Sequence, residues 1–549
     1  MAESWDYIVV GAGSAGCVVA EQLSADARVR VLLLEAGGTN DSRWVAIPKG
    51  VAKLVTNPEH IWAYGVTQPR AGGEGDRGGG SDGAAAQEVW IRGKGLGGSS
   101  AINGMIWSRG EPEDYDEWEK RGCTGWTGAS MTAAFRALED HGLGASAARG
   151  VGGLVAVTPR IYSYPLAETM VEAGAEMGLR RVDDLNDTTR ERVGFYAHNI
   201  RRGRRESAAT TFLARARGRP NLRIVTRALA ERLIVADGRV TGVEAIVAGE
   251  RRRFDCAGEV VVSGGTLESP LLLQRSGIGP AEVLRAAGVE THVDAPDVGR
   301  RMREHLGFSM PHRLARAVGS SHNFYGIGLV RAMARYWLTR GGIMATGPFE
   351  VGAFLNLTSE DRRPDLQLYL GGYSFALGDD KHPVPLDRID RNPGMTIYGQ
   401  LLRLTSEGSL AITGPGSDAA PAIAPNWLST PEDEQTAIAA VRAMRRYMAQ
   451  PALAPFVERE LLPGAEVQGD AEILDAFRRL STSGLHGVGT CRMGGDDRAV
   501  TDARLRVKGI GGLRVVDCSV MPSPVTGNTN APAMALALRA AELIREDRR

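Results

Sequence analysis

Cysteine is scarce in this 549-residue chain, and an excess of charge of either sign is missing altogether. The five cysteines, Cys17, Cys123, Cys256, Cys491 and Cys518, are odd in number and widely spaced, with no Cys-x-x-Cys pair. Neither a disulfide framework nor a zinc site is suggested, and the pattern fits a reducing compartment. Lys plus Arg and Asp plus Glu each total 65, so the formal charge is zero. No whole-protein field exists to draw the chain onto nucleic acid or an anionic membrane. Clusters such as Arg201–Arg205 are therefore read as solvated or locally paired. Nowhere do 18 apolar residues run together, so no membrane span is expected. The N-terminus passes almost at once into Trp5-Asp6-Tyr7-Ile8-Val9-Val10, without a basic and then apolar leader. A signal peptide is not expected, and the expected location is the cytoplasm.

What is present is an ordinary globular composition, 43% hydrophobic and 24% charged, in a chain long enough for two or more domains or one interleaved pair. Residues 5–36 read as strand, turn, helix, strand. Tyr7–Val10 and Val29–Leu34 are the continuous apolar runs expected of parallel strands buried on both faces. Between them stands Gly11-Ala12-Gly13-Ser14-Ala15-Gly16, opening a helix to about Ala25. Glycines there permit a tight turn and close approach to a pyrophosphate, and the helix N-terminus offers N–H groups and positive dipole. Glu35, followed by Ala36, comes about 20 residues later, where a carboxylate accepts the ribose hydroxyls. That carboxylate argues against a 2′-phosphate and so against NADP. The motif alone leaves FAD and NAD open.

Further along, Arg70–Gln87 is rich in glycine and poor in large apolar groups, and reads as a mobile surface loop or lid. Trp62-Ala63-Tyr64 before it reads as local packing rather than substrate contact. A second Gly-dense run, Gly93 to Asn103, suits a loop lying against phosphates and a flat ring. Residues 165–180 have a helical pattern. Leu222–Thr226, Leu229–Ala236 and Arg239–Val247 read as strands with a hairpin at Asp237-Gly238. Glu259–Gly265 reads as another buried strand entering a glycine turn. From about 310 to 480 the pattern becomes β-rich, with strands at Asp365–Leu370, Thr396–Arg403 and Ser409–Thr413 and a helix at Pro431–Met448. That suits an antiparallel sheet with helices. Near the C-terminus, a turn-rich stretch holds His486-Gly487-Val488-Gly489-Thr490-Cys491-Arg492-Met493-Gly494. After it, Leu513–Asp517 reads as a strand, and Asn528-Thr529-Asn530-Ala531-Pro532 as a helix start.

Gly93–Asn103 with Trp107, Gly110 and Asp116 resembles the first signature of the glucose–methanol–choline (GMC) oxidoreductases, and Gly265–Gly279 resembles the second. With Gly11, Gly13 and Gly16 and the C-terminal segment, the resemblance spans essentially the whole chain. It implies an α/β fold (α+β overall), in which a Rossmann-like FAD-binding domain is interleaved with an antiparallel-sheet substrate-binding domain. The expected division is 1–155 for the first part of the FAD domain, 156–205 for a substrate-domain segment and 206–309 for the second FAD part. Residues 310–480 are then the substrate domain and 481–549 the third FAD part. The implied dinucleotide is FAD. Its expected contacts are Gly11, Gly13, Ser14, Ala15, Gly16, Glu35 and Ala36, then Gly97, Gly98, Ser99, Ser100, Asn103, Gly104 and Ile106. Ala228 for the adenine, Asp517 and Asn528 complete them. Where some choline oxidases carry a histidine bonded to the flavin, this chain has Ile102, which has no nucleophilic atom, so no covalent link is expected there. Val298–His305 resembles the segment returning to the flavin domain, though its usual Asn and Asp have become Arg301 or Met302 and Glu304.

Hydride leaves an alcohol carbon more easily once the hydroxyl proton is departing, so such a site needs a base near neutral pH and a donor for the developing alkoxide. An imidazole suits the first role and an amide the second. The resemblance assigns them to His486 and Asn530. Cys491, with no residue in sequence to activate it, reads as packing, and His305, His312 and His322 read as structural residues. Expected partners are a small alcohol, oxidised at a primary hydroxyl, and an electron acceptor, a quinone or O2. Gly484, small where some oxidases are bulkier, leans towards a dehydrogenase. Glu350 has two readings, internal pairing or holding a cationic alcohol such as choline. The competing functions are a flavin-containing lyase resembling the hydroxynitrile lyases, a photodecarboxylase-like enzyme, and a non-catalytic FAD-binding module. The particular alcohol and the oligomeric state are not readable from sequence.

Overall fold

The computed structural model describes residues 4–68, 86–186, 190–358, 363–377 and 388–548. Most of the Gly-rich segment 70–87, expected to be a mobile surface loop or lid, lies outside the described residues.

Two large sheets organise the chain. In the first, Ser4–Val10 lies between Val31–Glu35 and the C-terminal half of Glu250–Val262. All three are parallel, with Leu222–Thr226 and Leu513–Val515 paired outside them. Strands covered on both faces need continuous apolar runs, and Ile8, Val9, Val31, Leu32, Leu33, Val260, Val261 and Val262 are all fully buried. The N-terminal half of Glu250–Val262 instead joins an antiparallel meander with Arg239–Val247 and Ala228–Ala236. Its tight turn at Asp237-Gly238 has φ of 49° and 72°, the left-handed geometry that Asp-Gly tolerates. Helices Ser14–Leu23 and Asn530–Asp547, from opposite ends of the sequence, pack together in the core of this Rossmann-like sheet.

The second sheet runs in the order Val457–Glu460, Leu306–Leu314, Gly394–Leu401, Leu366–Gly371, Val351–Leu355 and Arg192–Phe195, antiparallel to that point, with the short Arg180–Arg181 added in parallel at the edge. Side chains alternate between its faces. Leu306, Phe308, Leu366, Leu368, Met395 and Ile397 share a core with Met170, Val441, Met444 and Phe477 of the helices Pro165–Glu176, Pro431–Met448 and Asp470–Leu480. The intervening Ser309, Tyr369, Thr396, Tyr398 and Gln400 line a cavity on the other face. Helix Pro431–Met448 has the expected bounds because its start is doubly specified: Thr430 Oγ1 accepts from the Asp433 N–H and Pro431 fills the first turn.

Thr482–Ser483 pairs with Leu306–Leu314 in the second sheet, whereas Leu513–Val515 belongs to the first. The chain between them therefore crosses from one sheet to the other, and this crossing brings His486 to the cavity.

Candidate active site

One cavity of about 1140 Å³ takes in both halves of the expected site. At one end it is lined by Gly11, Gly13, Ser14, Ala15, Glu35 and Ala36, and beyond them by Gly98, Ser99, Ile102, Asn103, Gly104 and Ile106. Asp517, Asn528, Asn530 and His486 complete the same wall. Gly16, Gly97, Ser100 and Ala228, expected among the contacts, do not line it. A Cβ on Gly16 would lie 1.9 Å from the Gly11 carbonyl oxygen, so that glycine serves the turn itself. Gly97 N–H donates to Ala12 O at 2.8 Å, and Ser100 Oγ, which donates to Gly97 O, accepts from Ala208 N–H at 2.9 Å. Both clasp the two Gly-rich loops to their surroundings. Ala228 is buried in its strand, and the adjacent Leu229 and Ala230 face the cavity instead. The loops meet at Gly98, where a Cβ would stand 2.7 Å from Gly13 Cα.

Glu35 does more than wait for a ribose. Its carboxylate accepts N–H bonds from Ala12 at 2.8 Å, Gly37 at 2.8 Å and Gly95 at 2.9 Å, tying both Gly-rich loops to the end of Val31–Glu35. Asp517 plays a similar part at the other side, accepting from Gly265 N–H, Ser269 Oγ and Ser519 N–H. Burial raises its pKa. Trp62 and Tyr64, expected to be local packing, both reach the cavity wall, where the Tyr64 hydroxyl donates to Glu268 at 2.8 Å.

The expected pairing of His486 with Asn530 is corrected. His486 Nε2 lies 3.1 Å from Asn528 Nδ2, whereas Asn530 Oδ1 accepts from Ser14 Oγ at 2.8 Å on the cradle side. The cause is the helix start. Asn530 is already the first residue of Asn530–Asp547, so its side chain projects back over the packed helix Ser14–Leu23. Asn528 precedes that turn and is free to face the crossing segment. Gln367 Nε2 donates to Asn528 Oδ1 at 3.2 Å, which leaves the Asn528 N–H groups to donate towards His486 Nε2.

His305 is a second correction. Expected to be structural with His312 and His322, it places its Nδ1 3.1 Å from His486 Nδ1, the rings meeting edge to face at 5.3 Å. With His486 Nε2 accepting from Asn528, its Nδ1 carries the hydrogen and donates to His305. The tautomer that results has an unprotonated Nε2 facing the Asn528 amide at the cavity wall. Glu304 holds the same corner through its Oε1, which accepts the backbone N–H groups of His305 at 3.0 Å and His486 at 2.5 Å. The signal was present in sequence as Glu304-His305, but nothing there tied it to a histidine 181 positions away. Gly484 is small for a steric reason, since a Cβ there would lie 2.6 Å from Gln400 Nε2 and 2.9 Å from the His305 carbonyl oxygen. Its size therefore does not distinguish a dehydrogenase from an oxidase.

Burial, then His305 and Arg92, pushes the His486 pKa well below the ordinary imidazole value of 6.5, and burial drives His305 down to about 3. Both shifts favour the neutral form of the rings. Burial raises Glu304 to about 7, with Arg92 nearby opposing the shift. A base that must be unprotonated works above its pKa and fails as pH falls through it. The expected kcat/KM profile therefore stays level through neutrality and drops on an acid limb below pH 6.5. Comparison with Glu304→Gln removes any contribution from that carboxyl. A His486 limb at or above 6.5 contradicts the assignment.

Glu350 is committed internally. Its Oε1 lies 2.9 Å from Lys49 Nζ, and both side chains are almost wholly buried. Tyr164 and Thr346 hydroxyls donate to the same carboxylate. Cys491 is fully buried with its pKa raised by desolvation, which suits packing and not nucleophilic chemistry. All five cysteines are free thiols.

A Gly-rich cradle on a parallel sheet, opening into a cavity that holds a neutral imidazole and a directed amide, defines a dinucleotide-dependent oxidoreductase. Residues 5–307 match one family model described as GMC oxidoreductase and residues 405–537 match a second; the chain belongs to the GMC oxidoreductase family. It is 36% identical to an alcohol dehydrogenase [acceptor] of Pseudomonas putida, over 98% of this chain and 95% of that one. It is 38% identical to an oxygen-dependent choline dehydrogenase of Burkholderia thailandensis, over 99% and 94%. Among solved structures, pyridoxine 4-oxidase from Mesorbium loti superposes with a TM-score of 0.86 at 31% identity, covering 98% of this chain and 99% of that one.

The protein is thus an FAD enzyme acting on CH–OH donors. The residues present fit that cofactor. Nothing lies within 4 Å of a Cβ built on Gly13, at the N-terminus of Ser14–Leu23, so a phosphate has room to approach the helix dipole. Asn530 Nδ2 is buried in the cavity wall without a hydrogen-bond partner, a donor awaiting an acceptor. Ile102 also lines the cavity. Glu35→Gln, which removes the charge and one acceptor oxygen from the loop clasp, is expected to lower FAD occupancy of the purified protein more than it slows flavin reduction in the fraction that retains FAD. Undiminished occupancy counts against a role for Glu35 in holding the cofactor.

Proposed function

We propose that this chain oxidises a primary alcohol to the aldehyde, with His486 as the base and Asn528 as the hydrogen-bond donor to the substrate oxygen. The observation that supports it is the 3.1 Å approach of Asn528 Nδ2 to His486 Nε2 inside the cavity that also holds the dinucleotide cradle. A hydroxyl entering between them donates its proton to Nε2 and accepts from the amide. His305 keeps the proton of His486 on Nδ1, so the ring arrives as an acceptor, and Gln367 keeps the amide turned N–H outward. The amide dipole is in place before negative charge develops on oxygen, so little reorganisation accompanies the step. FAD, held by the Gly11–Gly16 and Gly97–Asn103 loops, would supply the acceptor for the carbinol hydride, with a quinone or O2 as the final electron acceptor. Choline and pyridoxine, the compounds in two relatives' names, both carry primary hydroxyls, which favours this reaction over a lyase.

The test is anaerobic mixing of the holoenzyme with a panel of primary alcohols while flavin absorbance is followed. Bleaching with stoichiometric aldehyde is expected. Product release without bleaching points to the lyase, and neither outcome with any alcohol defeats the proposal. Reoxidation by air compared with a soluble quinone then identifies the class of acceptor.

A further inference from the structure

Lys49 belongs to a part of the cavity wall that the proposed reaction does not use. It stands on the short turn Pro48–Gly50 and lines the cavity, whereas Glu350, to which it is paired, does not reach the surface. Of the two paired residues it is therefore the lysine, and not the carboxylate, that borders the cavity. Its surroundings are those of a cation receptor. Glu350 Oε1 lies 2.9 Å and the Pro348 carbonyl oxygen 3.1 Å away, and the rings of Tyr373 and Phe324 face the nitrogen at 5.4 and 5.7 Å. A carboxylate, a carbonyl and two aromatic faces recognise an organic ammonium ion. Here the ammonium is tethered to the protein.

We propose that Lys49 is a built-in occupant of a quaternary-ammonium site, and that by filling it Lys49 restricts the enzyme to uncharged alcohols. The inference rests on the proposed alcohol site at His486 and adds its substrate class. A cationic alcohol entering this cavity meets a carboxylate already neutralised and an ammonium of like charge at the wall. An uncharged alcohol meets the remaining aromatic surface of Phe349, Tyr369, Tyr373 and Tyr398 without either cost. Specificity of this kind comes from the repulsive element as much as from the attractive one.

Lys49→Ala removes the tethered cation, opens space beside Glu350 and leaves a buried carboxylate needing a counter-charge. Two measurements on FAD-loaded protein test the idea. In calorimetry, tetramethylammonium, which has no hydroxyl to oxidise, is expected to bind Lys49→Ala about 10²-fold more tightly than wild type, the factor set by an uncompensated buried charge. The double variant Lys49→Ala/Glu350→Gln should lose that gain. In flavin reduction, wild type is expected to prefer 3,3-dimethylbutan-1-ol over its cationic isostere choline by about 10²-fold or more, and Lys49→Ala should narrow or reverse the preference. Wild type that reduces its flavin as well with choline as with the uncharged isostere overturns the proposal, whether or not the variants fold. So does folded Lys49→Ala with no gain in tetramethylammonium binding. If the variant gains that binding while no alcohol reduces any form, the cation site stands and the alcohol oxidation fails.

Discussion

Replacing His486 by alanine is expected to lower the rate of anaerobic flavin reduction by about 10²–10⁴-fold, the range for losing a positioned acid–base group, while FAD stays bound. The expectation follows from where the ring is held. Its backbone N–H is fixed by Glu304, its Nδ1 by His305 and its Nε2 by Asn528, so the lone pair presented to the cavity has one direction. None of the cradle contacts passes through the ring, since Glu35, Gly97 and Asp517 organise the Gly-rich loops independently. Stopped-flow reduction by the best alcohol and flavin content per chain separate the two effects. Unchanged reduction kinetics in a fully loaded variant exclude His486 as the base.

Asn528→Ala is expected to slow flavin reduction by about 10²–10³-fold, the loss typical of one donor to a developing oxyanion. Asn530→Ala is expected to act chiefly on FAD retention. Two asparagines a single residue apart thus separate into different phenotypes. Asn528 has its carbonyl oxygen engaged by Gln367 and its amide hydrogens turned to His486. Asn530 has its carbonyl oxygen engaged by Ser14, at the N-terminus of the cradle helix, and its amide nitrogen without a partner. Gln367→Ala should reproduce part of the Asn528 defect, because the freed amide can rotate its oxygen towards His486. Equal losses of reduction rate in the two asparagine variants, with equal FAD contents, contradict the division.

Much of the cradle was legible because it is local. Tyr7–Val10, the Gly11–Gly16 turn, its helix and Glu35 form one continuous unit whose spacing carries its geometry. The Asp237-Gly238 hairpin and the helix Pro431–Met448 were legible for the same reason, as turn and cap chemistry act within a few residues. The resemblance carried the family and the identity of the cofactor beyond this, through motifs at four places along the chain.

Adjacency across long separations was a different matter. Which asparagine meets His486 depends on where the helix Asn530–Asp547 begins against Ser14–Leu23, and a one-residue shift at a helix start turns a side chain by about 100°. The roles of His305, Gln367 and Lys49 depend on strands and turns from distant parts of the sequence converging on one cavity. By itself the sequence determined a dinucleotide sheet, a second antiparallel sheet and a histidine in a Gly-rich turn, because hydrophobic period and turn residues are local properties. Only the tertiary structure decided that Asn528 rather than Asn530 faces the imidazole and that Lys49, and not its partner Glu350, borders the cavity. Those contacts are set by how the two sheets pack about the cavity, and no spacing along the chain records that packing.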